Sequence, residues 1–202
     1  MKTNSTIYIT NHRKKEADIS PDEFYSTHPN SVQTFIDNGF WDHFHDWHKP
    51  HIWEPCCGNG NISKVLEKNG LTVTSTDLIQ RDYGQGGIDF LSTDSVPNPN
   101  VTVIMTNPPF SLAESMIRHG LDILKMDGWI IMYLKLTFLE GKARYKLFQQ
   151  LPPSYVYLHS SRQGCSSTGA ESFANGGSVA YAWYLWEKAR KSDTILRWLP
   201  PN

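Results

Sequence analysis

The chain has 202 residues, 39% apolar and 12% aromatic, which is material for one compact domain with a sizeable core. No apolar run approaches the roughly 20 residues that span a bilayer, and the polar N-terminus carries no signal-peptide core, so no membrane span is expected and the chain is expected to stay cytoplasmic. The net charge of −1 hides an asymmetry: residues 1–100 carry 8 Lys and Arg against 13 Asp and Glu, whereas residues 101–202 carry 11 against 7.

Taken in chain order, a polar N-terminal segment over 1–20 precedes a turn and cap at Ser26 to Asn30. A helix is expected around Ser31 to Trp47, then a short apolar strand, His51 to Trp53, that runs through Glu54 and Pro55 into Cys56-Cys57-Gly58-Asn59-Gly60-Asn61. Glycine at 58 and 60 allows a sharp turn and a close backbone approach, which serves a bound cofactor and equally an ordinary strand-to-helix junction. A helix from Ile62 to Lys68, closed by Gly70, leads to a β-branched strand, Thr72 to Thr76, that ends on Asp77. A weak strand is expected near Ile88, and a strong one at Val101 to Met105.

Ser111 and Glu114 have capping-box spacing for the next helix. A strand at Trp129 to Leu134, a helix at Lys142 to Gln150, and strands near Val156 and at Val179 to Trp186 follow. Strands alternating with helices mean a mostly parallel sheet covered on both faces. The last two strands are joined by a loop and are expected to pair antiparallel. One domain over 21–190 with a short tail over 191–202 is the simplest division.

The most informative stretch is Thr106-Asn107-Pro108-Pro109-Phe110, where an apolar strand stops abruptly. Neither proline has an N–H, so the ladder cannot continue, and the Asn107 and Pro108 carbonyls lose their usual partners. Beside them stand the Asn107 amide oxygen, an acceptor, and the Phe110 ring, a stacking surface. Two acceptors next to a stacking ring suit an exocyclic amino group. Nineteen positions beyond Gly58, Asp77 is placed as an acceptor for ribose hydroxyls, which in doubly wound folds come from an acid about 20 residues past the glycine turn. The dinucleotide fingerprint of dehydrogenases fits poorly, because its third glycine falls on Ser63.

Asn107 to Phe110 resemble the catalytic motif of amino-methyltransferases that use S-adenosylmethionine (AdoMet), and the acidic-Pro-x-x-Gly-x-Gly run from Glu54 to Gly60 resembles their first motif. Phe24-Tyr25-Ser26-Thr27-His28-Pro29 resembles the motif that touches the methionine end of AdoMet, with His28 where that motif has proline. Gly87-Ile88-Asp89-Phe90-Leu91 resembles the third motif, in which the acid accepts from the cofactor's adenine amino group and the next residue packs against its ring. In this order, over about residues 22 to 188, the pieces are similar to small phage-type and prophage-type DNA adenine-N6 methyltransferases.

The resemblance implies a class I AdoMet-methyltransferase (Rossmann-like) α/β fold of about seven strands, with an antiparallel final strand and helices on both faces. It implies Asn107, Pro108, Pro109 and Phe110 as catalytic. Tyr25, Thr27, Glu54, Cys56, Gly58, Gly60, Asn61, Asp77, Leu78, Asp89 and Phe90 are implied as the AdoMet site. The expected reaction is methyl transfer to N6 of adenine in DNA, duplex or single-stranded, with low or loop-encoded selectivity. Cytosine-N4, RNA and protein-glutamine methylation remain alternatives, since variants of the tetrapeptide serve those acceptors.

Lys135, Phe138 and Arg162 are candidate substrate contacts, and Lys142, Arg144 and Lys146 extend the basic C-terminal half; each cation serves equally as part of a solvated face. His12-Arg13-Lys14-Lys15 is a second basic cluster. The Gly- and Ser-rich loop over 160–178 is long enough to be a lid over nucleic acid or a surface loop. No metal site is expected, because His43, His45, His48 and His51 do not share a face with ligand spacing, and Cys56, Cys57 and Cys165 form neither a zinc pattern nor a disulfide framework.

Overall fold

The computed structural model describes residues 23–45, 48–162, 165–166, 179–190 and 193–201. The basic cluster at 12–15, the N-terminal segment and most of the Gly- and Ser-rich loop lie outside them. Nine strands and four α-helices follow one another as β1 (Ser26–Thr27), α1 (Pro29–Asn38), β2 (His51–Glu54), α2 (Asn61–Lys68), β3 (Thr72–Ser75), β4 (Val101–Thr106), α3 (Ala113–Ile123), β5 (Trp129–Lys135), α4 (Lys142–Gln150), β6 (Tyr155–His159), β7 (Cys165–Ser166), β8 (Tyr181–Glu187) and β9 (Ile195–Leu199) among the described residues.

Seven strands form one sheet in the order β3-β2-β4-β5-β8-β6-β9. Only β8 is reversed: it runs antiparallel to β5 and β6, while the other pairs are parallel. β6 and β8 pair antiparallel, as expected. β1 and β7 form a separate two-stranded antiparallel ladder, Ser26 opposite Ser166.

Strands buried on both faces need apolar side chains at every position. In β4, Val103 and Met105 turn to a cluster with Phe35, Ile36 and Leu66 of α1 and α2, while Ile104 turns to one with Met116, Ile117 and Leu147 of α3 and α4. The helices therefore cover opposite faces. The order reverses between β2 and β4: from β2 the chain crosses outward to β3, then returns to the other side for β4. Ligands in such sheets bind at the carboxyl ends of the strands beside this reversal. Glu54 ends β2 and Asn107 follows β4 there. Among the described residues no helix is long and apolar enough to cross a membrane.

Several expectations need correction. The helix expected to Trp47 ends at Asn38, and a 3-10 turn covers Phe40–Asp42. Gly39 lies where a Cβ would come within 2.7 Å of the Tyr157 ring, so the chain turns there and Phe40 is buried against the sheet. No strand forms at Ile88; its N–H donates to the Asp77 carbonyl (3.0 Å), and Asp89 caps a 3-10 turn, Phe90–Ser92. The capping box is absent. α3 starts at Ala113, both the N–H and hydroxyl of Ser111 donate to the Glu23 carboxylate, and Glu114 instead holds Arg118 and Arg144. The seventh strand of the sheet is not the weak one expected near Ile88. It is β9, from the segment read as a tail, so the reversed strand is followed by one more, parallel to β6.

Candidate active site

The turn after β2 is shaped by rings of this chain. Gly58 and Gly60 have φ of +55° and +79°. A Cβ on Gly58 would sit 2.4 Å from the Phe24 ring, and one on Gly60 2.3 Å from the Tyr83 ring. The Gly58 N–H donates to one Asp77 oxygen (2.8 Å) and the Ile79 N–H to the other (2.9 Å), so Asp77 ties the turn after β2 to the one after β3. A carboxylate has about four acceptor positions, and these two donors leave it capacity for hydroxyls.

Glu54 is buried beneath the same turn, where its carboxylate accepts the backbone N–H of Ser63 (2.9 Å) and the Ser63 hydroxyl; Ser63 and Ser75 share a further bond (2.7 Å). Burial pushes Glu54 up to about 8, against the Ser63 hydrogen bonds and with help from the negative charge of Asp77. Near neutrality the acid is largely protonated. Burial likewise pushes Cys57 up to about 12 and raises Cys56, so both thiols stay protonated and weakly nucleophilic.

The segment before α1 docks against the turn and against Asn107. Asn61 donates to the Ser26 hydroxyl (2.8 Å) and the Thr27 carbonyl (2.9 Å). The Asn107 amide nitrogen donates to the Tyr25 carbonyl (2.7 Å) and the Thr27 hydroxyl (3.0 Å). With both amide hydrogens committed, the carboxamide has one orientation. The departure at His28 has a local reason: its ring accepts the Asn30 N–H (3.0 Å) as the N-cap of α1, with Pro29 at the first helical position.

Two cavities result. The larger, about 310 Å³, is lined by Tyr25, Thr27, Glu54, Cys56, Asn61, Asp77, Leu78, Asp89, Phe90, Asn107 and Pro109 among others. Leu78 is 59% and Ile79 39% exposed, an apolar ledge on its wall. The smaller, about 240 Å³, is lined by Phe110, Leu134, Lys135, Thr137, Phe138, Glu140 and Arg144. The tetrapeptide thus contributes to both cavities. The Phe110 ring lies 5.4 Å from that of Tyr25 and has the Lys135 ammonium 4.1 Å from its centroid; the Arg144 guanidinium lies 4.3 Å from that of Phe138.

Some expected residues are placed differently. Gly58 and Gly60 line neither cavity and shape the backbone; Pro108 lines neither itself but sits between Asn107 and Pro109, which line the larger cavity, next to Phe110 of the smaller. Phe90 reaches the larger cavity but is 4% exposed, its ring packed on Trp53 and His119, each 5.1 Å away. Asp89 is exposed at the rim, where it accepts the Leu91 N–H (3.0 Å) and the Ser92 hydroxyl (2.6 Å). Arg162 is exposed and lines neither cavity. Sequence reading missed Glu23, Phe24 and Arg81, which line the larger cavity, with the Arg81 guanidinium 4.3 Å from the Phe24 ring. Phe24 opens the run that resembles the methionine-end motif, but only Tyr25 and Thr27 of that run are implied as cofactor contacts; nothing local marks Arg81. Among the described residues no three His, Cys, Asp or Glu side chains gather as a metal-ligand set.

No protein-family model matches the sequence, and no curated protein matches it as a relative. Solved structures do. The chain is similar to a Listeria monocytogenes protein provisionally classed as a class I AdoMet-dependent methyltransferase, with TM-score 0.56 and 13% identity over 83% of this chain and 64% of that one. It is also similar to the DrdV–DNA complex, with TM-score 0.56 and 13% identity over 87% of this chain and 27% of that one. A third is a nuclease-deletion mutant of the Type ISP restriction-modification enzyme LlaGI in complex with a DNA substrate mimic, with TM-score 0.54 and 11% identity over 90% of this chain and 28% of that one. The chain therefore spans about two thirds of the first protein's length and little more than a quarter of the other two. At these identities the likeness is one of fold: a class I AdoMet-methyltransferase, Rossmann-like sheet.

Proposed function

We propose that the chain transfers a methyl group from AdoMet to the N6 amino group of adenine in DNA. The observation that carries this reading is the placement of Asn107 to Phe110 across two adjoining cavities, one of cofactor size and one with an aromatic wall. The residues of the larger cavity suit AdoMet. The Leu78 and Ile79 ledge offers an apolar surface to a purine, with the Asp89 carboxylate at the rim for its amino group. Asp77 is an acceptor for ribose hydroxyls. Tyr25, Thr27, Glu54 and Asn61 surround the end near Asn107, where the methionine portion belongs.

AdoMet supplies an electrophilic methyl group on a sulfonium. The rest of the chemistry falls to this chain. The adenine amino nitrogen is a poor nucleophile because its lone pair is delocalised into the ring. Hydrogen bonds from its two N–H groups to the Asn107 side-chain oxygen and the Pro108 carbonyl would favour a pyramidal nitrogen and stabilise the positive charge that grows as the carbon–nitrogen bond forms and the carbon–sulfur bond breaks to leave a neutral thioether; the extra proton on nitrogen then passes to solvent. The Tyr25 and Thr27 acceptors hold the Asn107 carboxamide in register beforehand, so no reorganisation is needed at the reacting moment. Phe110 stacks on the base, and Lys135 and Phe138 bound its pocket. A base in a duplex must be flipped out to reach it. The likeness to two folds solved with DNA supports nucleic acid as the acceptor.

The test is methylation of DNA by the purified chain, followed by digestion to nucleosides and mass spectrometry. The expected product is N6-methyladenine, absent with Asn107→Ala although that variant still binds AdoMet by calorimetry. N4-methylcytosine as the product, or full activity of Asn107→Ala, would overturn the assignment.

A further inference from the structure

The exposed face of α4 has a composition that fold stability does not account for. Lys142, Tyr145, Lys146 and Gln149 are exposed and recur at i, i+3, i+4 and i+7, so they form a single stripe. Tyr145 is 67% exposed. The opposite face is occupied: Leu147 is buried, Phe148 packs against the core, and Arg144 is held by Glu114 (3.1 Å). A solvated helix usually mixes acids with bases one turn apart, whereas α4 contains no acidic residue, and two lysines four apart weaken it. Neither lysine makes a salt bridge among the described residues. Glu140, two residues before α4, and Arg144, in its first turn, line the smaller cavity, so the stripe begins beside its rim. Leu139, 42% exposed, adds an apolar ledge on that side.

We propose that this stripe holds the single-stranded DNA that flanks the target base, with Tyr145 stacked on a neighbouring base and Lys142 and Lys146 on backbone phosphates. This rests on the nucleic-acid reading above and deepens it by naming the strandedness of the substrate and the surface that takes it. The charge complements a polyanion. The aromatic decides between strand states, because the faces of bases in a duplex are covered by their neighbours and only an unstacked base can use the Tyr145 ring.

Tyr145→Ala, Tyr145→Trp and the double variant Lys142→Ala/Lys146→Ala of the full chain test this, since all three sites are exposed and outside both cavities. Fluorescence anisotropy measures affinity for a labelled adenine-containing single strand and for its duplex over a salt series, and calorimetry measures AdoMet affinity. Tyr145→Ala should lose roughly tenfold in single-strand affinity, with duplex affinity and AdoMet binding unchanged, and Tyr145→Trp should keep the wild-type value. The double lysine variant should flatten the salt slope by about 1.4, at about 0.7 per single-strand phosphate. Unchanged single-strand affinity and slope in every variant would overturn the stripe, and DNA methylation by the wild-type chain would then leave the function above standing. Equal losses on duplex and single strand with Tyr145→Ala would overturn the single-strand assignment. A wild-type chain that binds AdoMet but neither oligonucleotide, and methylates no DNA, would sink both readings together.

Discussion

Thr27 and Asn107, eighty positions apart, meet through a 3.0 Å hydrogen bond from the Asn107 amide to the Thr27 hydroxyl. Thr27 belongs to β1, in the segment before α1, and Asn107 follows β4, so in the proposed reaction the bond would join the side of the cleft that takes the methionine end to the side that takes the amine. Thr27→Val keeps the shape and removes the acceptor. Losing one such bond is worth about 1 kcal/mol, so kcat should fall roughly fivefold while AdoMet affinity changes little. A kcat equal to that of the wild type would show that the Tyr25 carbonyl alone orients the amide.

Phe110 lines the smaller cavity and not the larger one. Phe110→Ala should therefore separate the two ligands. Removing a stacking ring costs about 1–3 kcal/mol per base, so KM for DNA should rise roughly tenfold or more. AdoMet affinity measured calorimetrically should stay near that of the wild type. A matching loss in AdoMet affinity would contradict the division of labour between the cavities.

The glycine turn can be probed by pairing crowded and open positions. Gly58→Ala and Gly60→Ala each place a Cβ within 2.5 Å of an aromatic ring at positive φ, whereas Gly87, at φ +76°, has nothing within 4 Å of a new Cβ. Gly87→Ala should cost about 1–2 kcal/mol in urea denaturation, the backbone term alone. The other two should cost clearly more, because Phe24 or Tyr83 must move. Equal losses at all three positions would mean that the rings yield freely.

Two buried groups, Glu54 and His159, and the half-buried His43 shape the pH dependence of stability. Burial lowers His43, with Arg197 and Arg190 adding and Asp42 opposing, and it lowers His159, both from 6.5 to about 4. Between those values the unfolded chain holds protons that the folded imidazoles refuse, so their contribution is complete above pH 6.5 and is lost as pH falls through 4. Glu54 behaves oppositely. Its folded value of about 8 lies above the ordinary 4.5, so its contribution is complete below pH 4.5 and is lost as pH rises through 8. From these groups the thermal midpoint should peak near pH 6.5. Glu54→Gln should flatten the alkaline limb, each kcal/mol moving the midpoint by about 2–4 °C. An alkaline limb unchanged in that variant would place the titration elsewhere.

What is encoded over a few residues was legible in the sequence. The apolar runs located β2, β4, β5 and β8, since burial on both faces of a parallel sheet demands them. The two prolines after Asn107 ended β4, because they have no N–H to offer the ladder. The 19-residue step from Gly58 to Asp77, the spacing of a ribose acceptor, brings the two together at the strand ends, with a 2.8 Å bond between them that the spacing does not foretell. The glycine spacing gives a sharp turn that suits a ligand or an ordinary strand-to-helix junction; within the chain itself, the Phe24 and Tyr83 rings are what approach Gly58 and Gly60.

Only tertiary contact decided the rest. Ser111 and Glu114 have the spacing of a capping box, yet Glu23, eighty-eight positions before Ser111, takes its donors, and Arg144 takes Glu114. Ile195–Leu199 has no pattern that distinguishes an edge strand from a tail until β6 offers it a ladder. Ile88 lies in a plausible strand, but Asp77 captures its N–H. The physical reason is the same in each case: turn chemistry and side-chain periodicity are properties of neighbours along the chain, whereas a hydrogen-bond partner at long range exists only once the sheet has brought it within about 3 Å.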